Sequence, residues 1–413
     1  MSSKHPQSHI LTSLGALMPQ EEMLEIAREK KSLYIGIPKE VTLQENRVAL
    51  DPESVAVLVA NGHQLFVETK AGEGANFQDK DYSDAGAKIS YNTDELFKAD
   101  IVIKVDPPSM GEIDMMNPNS TLISALQLST QPDGFLKHLV KKRITAVAFD
   151  FIKDKEGIYP FVKSMSEVAG NTSVLLAAEY LSNINKGKGL MMGGVTGVPP
   201  IEVVIIGAGT VGEFAARAAI GLGASVKVFD DSLHKLSRLQ KNLGQRVYTS
   251  TVHPNVLFSA MRSADVAIGA VRSRSGRAPV LVSEQMVSDM KIGSVIVDVC
   301  IDQGGCFETS KVTSHEKPTF VEYGVIHYCV PNIASRVAQT ASVALSNIFS
   351  PLVLSMSEIG GIENMIKWND GFRNGVYVYN GHVTNEYLAK TYKLPYRDIG
   401  LIMAAMRRKA DNR

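Results

Sequence analysis

Gly207-Ala208-Gly209-Thr210-Val211-Gly212 sets three glycines between the apolar run Val203-Val204-Ile205-Ile206 and the helix-forming string EFAARAAIGLG. Strand, GxGxxG turn and helix in that order make a cradle for a pyrophosphate. Gly207 permits the tight turn, Gly209 lets a phosphate approach the backbone, and Gly212 lets the helix pack against its strand. Thr210 and Val211 open that helix, whose N-terminus offers free amides and a partial positive charge. The next apolar run, 225–229, ends at Asp230, eighteen residues after Gly212. An acid at that distance accepts hydrogen bonds from the adenine ribose and repels a 2′-phosphate, so the expected cofactor is NAD. Lys235 and Arg238 lie near enough in sequence to leave NADP as an alternative. The plainer reading is an α/β domain that holds another nucleotide or none, with Asp231 serving as a helix cap.

Such a loop needs a sheet to carry it. At 413 residues the chain has length for two or three compact units. Lys plus Arg and Asp plus Glu both number 43, so there is no basic excess for a nucleic-acid or anionic-membrane partner. Hydrophobic residues at 45% and charged residues at 21% fit a folded globular protein. Cys300, Cys306 and Cys329 form no CxxC pair, which argues against a disulfide framework or thiolate zinc site and for a reducing, cytoplasmic setting. No apolar stretch is read as approaching the roughly 20 residues that span a bilayer.

From Tyr34 the apolar runs YIGIP, VAVLVANG, QLFVET, ADIVIKV, TLISAL and ITAVAFDFI alternate with helical sequence, the pattern of parallel βα units. A helix over 164–185 and a glycine-dense irregular stretch over 187–200 precede a second series, EVVIIGAG, SVKVFDD, DVAIGAV and SVIVDVC. Beyond Val330, ASRVAQTASVALSNIFSPLVLSMSEI reads as one long, mostly apolar helix that needs burial between domains or subunits. A hairpin and a last helix follow in GVYVYNGHVTNEYLAKTYKL. The expected fold is α/β, two Rossmann-like doubly wound domains with a cleft between them. Residues 1–33 form a polar extension with a short stripe at Met23, Leu24 and Ile26.

Longer strings reach past the nucleotide motif: IGIPKE and ENRVAL within 35–50, IVIKVDPP at 101–108, SMSEVAGN at 164–171, LMMGGVTGVPP, IGAGTVG, VDVCIDQGGCFETS at 297–310 and HYCVPNIASRVAQTAS at 327–342. Through them the chain from about Tyr34 onward resembles the alanine dehydrogenase and transhydrogenase alpha-subunit family, and IDQGG and HYCVPN are similar to the alanine dehydrogenase branch. The resemblance implies an N-terminal substrate and catalytic domain, residues 34–163, completed by C-terminal helices within 338–413, a central NAD-binding domain, 164–337, and a cleft between them. It also implies reversible NAD-dependent oxidative deamination of L-alanine to pyruvate and ammonium, in a homo-oligomer, a hexamer.

A 2-amino acid brings a carboxylate, an amine and a Cα hydride, so its site needs cations and an ordered donor near the 2-oxo carbonyl. Arg47 offers a planar fork for the carboxylate. Lys104, at the end of Ile101-Val102-Ile103, would emerge at the carboxyl end of a strand, where it can also polarise the carbonyl. Both match substrate-binding positions of the family. Asp302 is the acidic candidate facing nicotinamide and amine. Asn332 would orient nicotinamide or substrate, Met165 and Ser166 would line the cleft, and Val271 would lie beside the cofactor ribose. Solvated surface charge, a turn aspartate and ordinary packing are the plain readings of these positions.

The family's alanine dehydrogenases usually carry a histidine in a string resembling TYLHLA; here Ser124-Ala125-Leu126-Gln127-Leu128 stands instead. Gln127 can order water or a carbonyl but cannot serve as a general base, so the acid/base role falls to Asp302 or Lys104. Ala125 enlarges the pocket, which opens the alternative of a larger amino acid. His327 and His315 are weak substitutes. A transhydrogenase alpha-like hydride-transfer component and a non-enzymatic NAD-binding regulator are the further alternatives.

Overall fold

The computed structural model describes residues 30–42, 44–273 and 276–410, so the Met23, Leu24 and Ile26 stripe lies outside the described residues. Fifteen strands build two sheets: β1 Tyr34–Ile37, β2 Gln64–Glu68, β3 Lys88–Ser90, β4 Ile101–Ile103, β5 Thr121–Ser124, β6 Thr145–Ala148, β7 Glu202–Ile206, β8 Ser225–Phe229, β9 Tyr248–Ser250, β10 Val266–Gly269, β11 Val295–Asp298, β12 Thr319–Glu322, β13 Val325–Tyr328, β14 Val376–Tyr379 and β15 His382–Val383. The first sheet runs β15-β14-β6-β5-β4-β1-β2-β3 and the second β12-β13-β11-β10-β7-β8-β9. In each, six parallel strands follow the 3-2-1-4-5-6 order of a doubly wound fold. Antiparallel edge strands complete them, β14 and β15 on one and β12 on the other. The order reverses between β1 and β4 in the first sheet and between β7 and β10 in the second. Crevices open there at the carboxyl ends of the strands.

Five helices bear on those crevices: α1 Pro52–Ala60, α2 Met110–Met115, α3 Pro160–Tyr180, α4 Thr210–Gly221 and α5 Ala338–Glu358. The run VAVLVANG is α1 and not one of the strands. A run of valines fits either state, but Asp51 caps the Ser54 amide, Pro52 starts the first turn, and Ser54, Val55 and Leu58 bury at helical spacing. The helix expected over 164–185 begins earlier, at Pro160, and ends at Tyr180. Its Phe161 packs in the first core with Phe149 and Phe349, while Ala169, Val174 and Ala177 pack in the second.

Helix α5 crosses the other way. Ile333 and Ala334 precede it, Ile333 in the second core, and Leu345, Phe349 and Val353 fill the first. The continuous helical stretch Ile333–Glu358 has the length and mean hydropathy, 1.4, of a bilayer span, which corrects the expectation that no stretch comes near one. Its buried serines give it another partner. Ser335, Ser342 and Ser346 accept the backbone N–H groups of Asn46, Val48 and Asp51 at 2.8, 2.9 and 2.7 Å. The small-residue face predicted to await a domain or subunit is thus spent on the irregular segment that carries Arg47.

Candidate active site at the two switch points

In the second sheet, the glycine loop follows β7. Gly207 has φ of 113°, and a Cβ there would stand 2.4 Å from the Ala270 carbonyl oxygen. A Cβ on Gly212 would meet the Gly207 carbonyl at 1.9 Å. Gly209 differs, because a Cβ there would meet nothing within 4 Å. The chain itself does not require glycine at 209, and the open space lies at the N-terminus of α4, where a pyrophosphate would pack. Thr210 and Val211 begin that helix, half-buried beside this space. Asp230 closes the loop: its carboxylate accepts the Ala208 and Ser232 N–H groups, each at 2.8 Å. Lys235 approaches the same carboxylate at 3.4 Å, and Arg238 donates to the Ala208 carbonyl, so both nearby cations have partners in the loop. Ser232 caps the following helix; Asp231 instead accepts the Val252 N–H.

Val271 follows β10 and its N–H meets the Cys300 sulfur at 3.0 Å. Asp302 follows β11 in a short turn. The buried Asp298 shapes that turn by accepting from the Cys300 and Cys306 N–H groups and the Ser310 hydroxyl. The Cys300 and Cys306 sulfurs lie 3.6 Å apart behind it. Asp302 opens to solvent yet has protein on most sides, as at the floor of a cleft, and this desolvation lifts its carboxyl above the usual range.

Across the crevice, Lys104 follows β4 and is 1% exposed. Its Nζ donates to Glu112 at 3.0 Å and lies 3.3 Å from Glu40. The expected emergence into a pocket is thus checked by two carboxylates, with one of three ammonium donors left over. Glu112 is held in turn by the Ser109 N–H at the start of α2, and Glu40 by the Val105 N–H at 2.6 Å. Burial raises the Glu40 carboxyl to about 7, although Lys104 and Val105 pull it down. Desolvation works against charge on Lys104, but Glu40 and Glu112 raise its pKa above the ordinary lysine range.

Arg47 spends its fork on Glu45, Nε to Oε1 at 2.8 Å and Nη2 to Oε2 at 2.5 Å, and leaves Nη1 beside the Met165 sulfur at 3.4 Å. The fork predicted for substrate is therefore already occupied, because Glu45 lies two residues away on the same turn. Against burial, Arg47 holds the Glu45 carboxyl below the usual range. Asn332 joins the lobes: its Nδ2 donates to Glu45 at 2.6 Å and its N–H to Asp302 at 3.2 Å. It has φ of 55°, and Gln127, after β5, has φ of 36°. Gln127 donates to Asp106 at 3.2 Å.

Glu45 and Asn332 thus link Arg47, Met165 and Asp302, Glu40 and Asp106 link Lys104 and Gln127, and Ser166 lies half-buried next to Met165 on α3. Sequence reasoning missed Glu40, Glu45, Glu112 and Asp106, the carboxylates that hold these residues. Their signal was the position of the first, second and fourth within IGIPKE, ENRVAL and IVIKVDPP. His327 stays outside: it is fully buried in β13, bonded to Thr309 and the Val325 carbonyl and stacked on Phe320. His315 lies beside the crevice: its backbone N–H meets the Gln44 side chain, and its ring interacts with the backbone of Asn332.

Comparison with known proteins adds the following. The family model described as alanine dehydrogenase/PNT, N-terminal domain, matches residues 36–169, and the corresponding C-terminal domain model matches 173–386. Alanine dehydrogenase 2 of Staphylococcus aureus (strain USA300) is 38% identical over 368 residues, covering 89% of this chain and 98% of that protein. A solved L-alanine dehydrogenase superposes with a TM-score of 0.82 at 38% identity, over 87% of this chain and 99% of its own. A transhydrogenase from Sinorhizobium meliloti gives a TM-score of 0.72 at 24% identity, over 86% and 99% of the two chains, a likeness of fold.

Proposed function

The chain belongs to the alanine dehydrogenase/PNT family, and from that premise we propose that it catalyses the reversible NAD-dependent oxidative deamination of L-alanine to pyruvate and ammonium. The observation that supports this reading is that Asn332 links Asp302 to Glu45, which holds Arg47, while Glu40 and Glu112 hold the buried Lys104. NAD, when bound, accepts the hydride of the substrate Cα. Gly207, Gly209 and Gly212 with Thr210 and Val211 would cradle its pyrophosphate, Asp230 its adenine ribose, and Val271 its second ribose. Arg47 and Lys104 would receive the substrate carboxylate and carbonyl, with Met165, Ser166 and Asn332 fixing the orientation. The two lobes, 34–163 with 338–413 and 164–337, would close over substrate, exclude water and align donor with acceptor.

The same reading extends to a cytoplasmic homo-oligomer, a hexamer by family resemblance. Support comes from three free, buried cysteines, and from Leu175, Ile184, Met191, Val195 and Val198, all exposed along and just after α3. The test is NADH formation over a panel of amino acids for the wild type and Lys104→Ala. L-Alanine should be the best substrate, and the variant should lose turnover while still binding NAD. NAD binding without turnover of any amino acid would overturn the reading, and an undiminished Lys104→Ala would remove Lys104 from the mechanism.

A further inference from the structure

The crevice holds more carboxylates than its ion pairs need. Glu40 is committed to Lys104 and the Val105 N–H, Glu112 to Lys104 and its own helix cap, and Glu45 to Arg47 and Asn332. Asp106 is different. It is 7% exposed, and among the described residues no cation lies within ion-pair distance of it. Its carboxylate partners are neutral: the Gln127 amide at 3.2 Å and the Thr42 hydroxyl. Gln127 itself has φ of 36°.

Resting on the alanine dehydrogenase reading, we propose that Asp106 is the catalytic residue that takes a proton from the attacking water and returns it to the departing amine, with Gln127 positioning it. Four charged groups face it: Glu45, Arg47, Lys104 and, against its backbone N–H, Glu40. Burial and Glu45 raise its carboxyl, while Arg47, Thr42 and Lys104 lower it, so the group is left able to change charge without breaking an ion pair. Gln127 has no proton to exchange near neutrality and serves only as donor.

The step balances as follows. Once the substrate ammonium has given a proton to solvent and the Cα–H pair has left as hydride to the nicotinamide, the nitrogen lone pair forms C=N and the substrate is an iminium. The water oxygen gives a lone pair to Cα as the C=N π pair moves to nitrogen, the broken O–H pair returns to oxygen, and the proton goes to Asp106, leaving a carbinolamine. The C–N bond then breaks with its pair on nitrogen, which has taken that proton back and leaves as ammonia. The remaining hydroxyl loses its proton to solvent as the C=O bond forms.

The pH profile of kcat for alanine deamination tests this, with NADH binding as the check that each variant is folded. Asp106→Asn should lower kcat by about 10²–10⁴-fold, keep the alanine KM nearly unchanged, and lose the acidic limb of the profile. Gln127→Ala should keep that limb but move it to higher pH, because the amide that stabilises the anion is gone. An Asp106→Asn enzyme that keeps the limb, or whose loss falls wholly in KM, would overturn the proposal even with an active wild type. A wild type that forms no NADH from alanine would sink the underlying reading and this inference together.

Discussion

At Lys104 one ammonium serves two buried carboxylates, and burial raises one of them, Glu40, to about 7. A raised carboxyl binds its proton more tightly in the folded than in the unfolded chain. Its stability contribution is therefore full below its unfolded value and is lost as pH rises through about 7. The span corresponds to roughly 3 kcal/mol. Urea unfolding at about pH 5 and about pH 8 should show the wild type losing stability and Glu40→Gln losing much less; equal losses would contradict the assignment. Asp230 makes a second test. Its carboxylate supports the glycine loop and would meet the ribose, so Asp230→Ala should weaken NAD binding, and unchanged affinity by titration would refute it. Lys104 was legible as a candidate because a charged residue at a strand end is unusual in an apolar context, and Arg47 and Asp302 because they stand in the ENRVAL and IDQGG strings. Their partners were not: Glu40 reaches Lys104 across 64 residues of sequence, and a lone glutamate in a string looks like any solvated one.

Among the elements, the glycine loop was the most legible because its demands are local: a positive φ at Gly207 and a close approach at Gly212 exclude other side chains whatever the rest of the fold does. Helix α1 was misread where its apolar run was taken without its cap, although Asp51-Pro52 stood in the sequence. The serine face of α5 was read as small residues awaiting a partner. Its hydrogen bonds to the ENRVAL segment join residues nearly 300 positions apart, which no periodicity reveals. Packing of α3 on α4 yields a prediction of its own. A Cβ at Gly170 would lie 2.5 Å from the Val211 carbonyl oxygen, so Gly170→Ala should push the glycine-loop helix from its neighbour. Overpacking of this kind costs about 1–3 kcal/mol, and NAD affinity should fall with it. A variant with wild-type urea midpoint and wild-type NAD affinity would contradict that coupling.

For the whole molecule, the alternation of strand and helix foretold two α/β sheets, and each shows the doubly wound order. What alternation could not show is how the sheets are joined. Helix α3 begins in the first core and ends in the second, the turn from Ile333 leads from the second core into α5 in the first, and Asn332 ties Glu45 on one lobe to Asp302 on the other. Closure would therefore turn on two continuous helices and one amide bridge, bringing the carboxylate-held cations of the first sheet toward the cofactor edge of the second. The account stands on direct hydride passage across that gap. Incubation of the enzyme with NAD and L-alanine deuterated at Cα, followed by mass spectrometry of the cofactor, should find the deuterium in the reduced nicotinamide ring and pyruvate formed in equal amount. Reduced cofactor without deuterium, or no reduction while NAD stays bound, would contradict it.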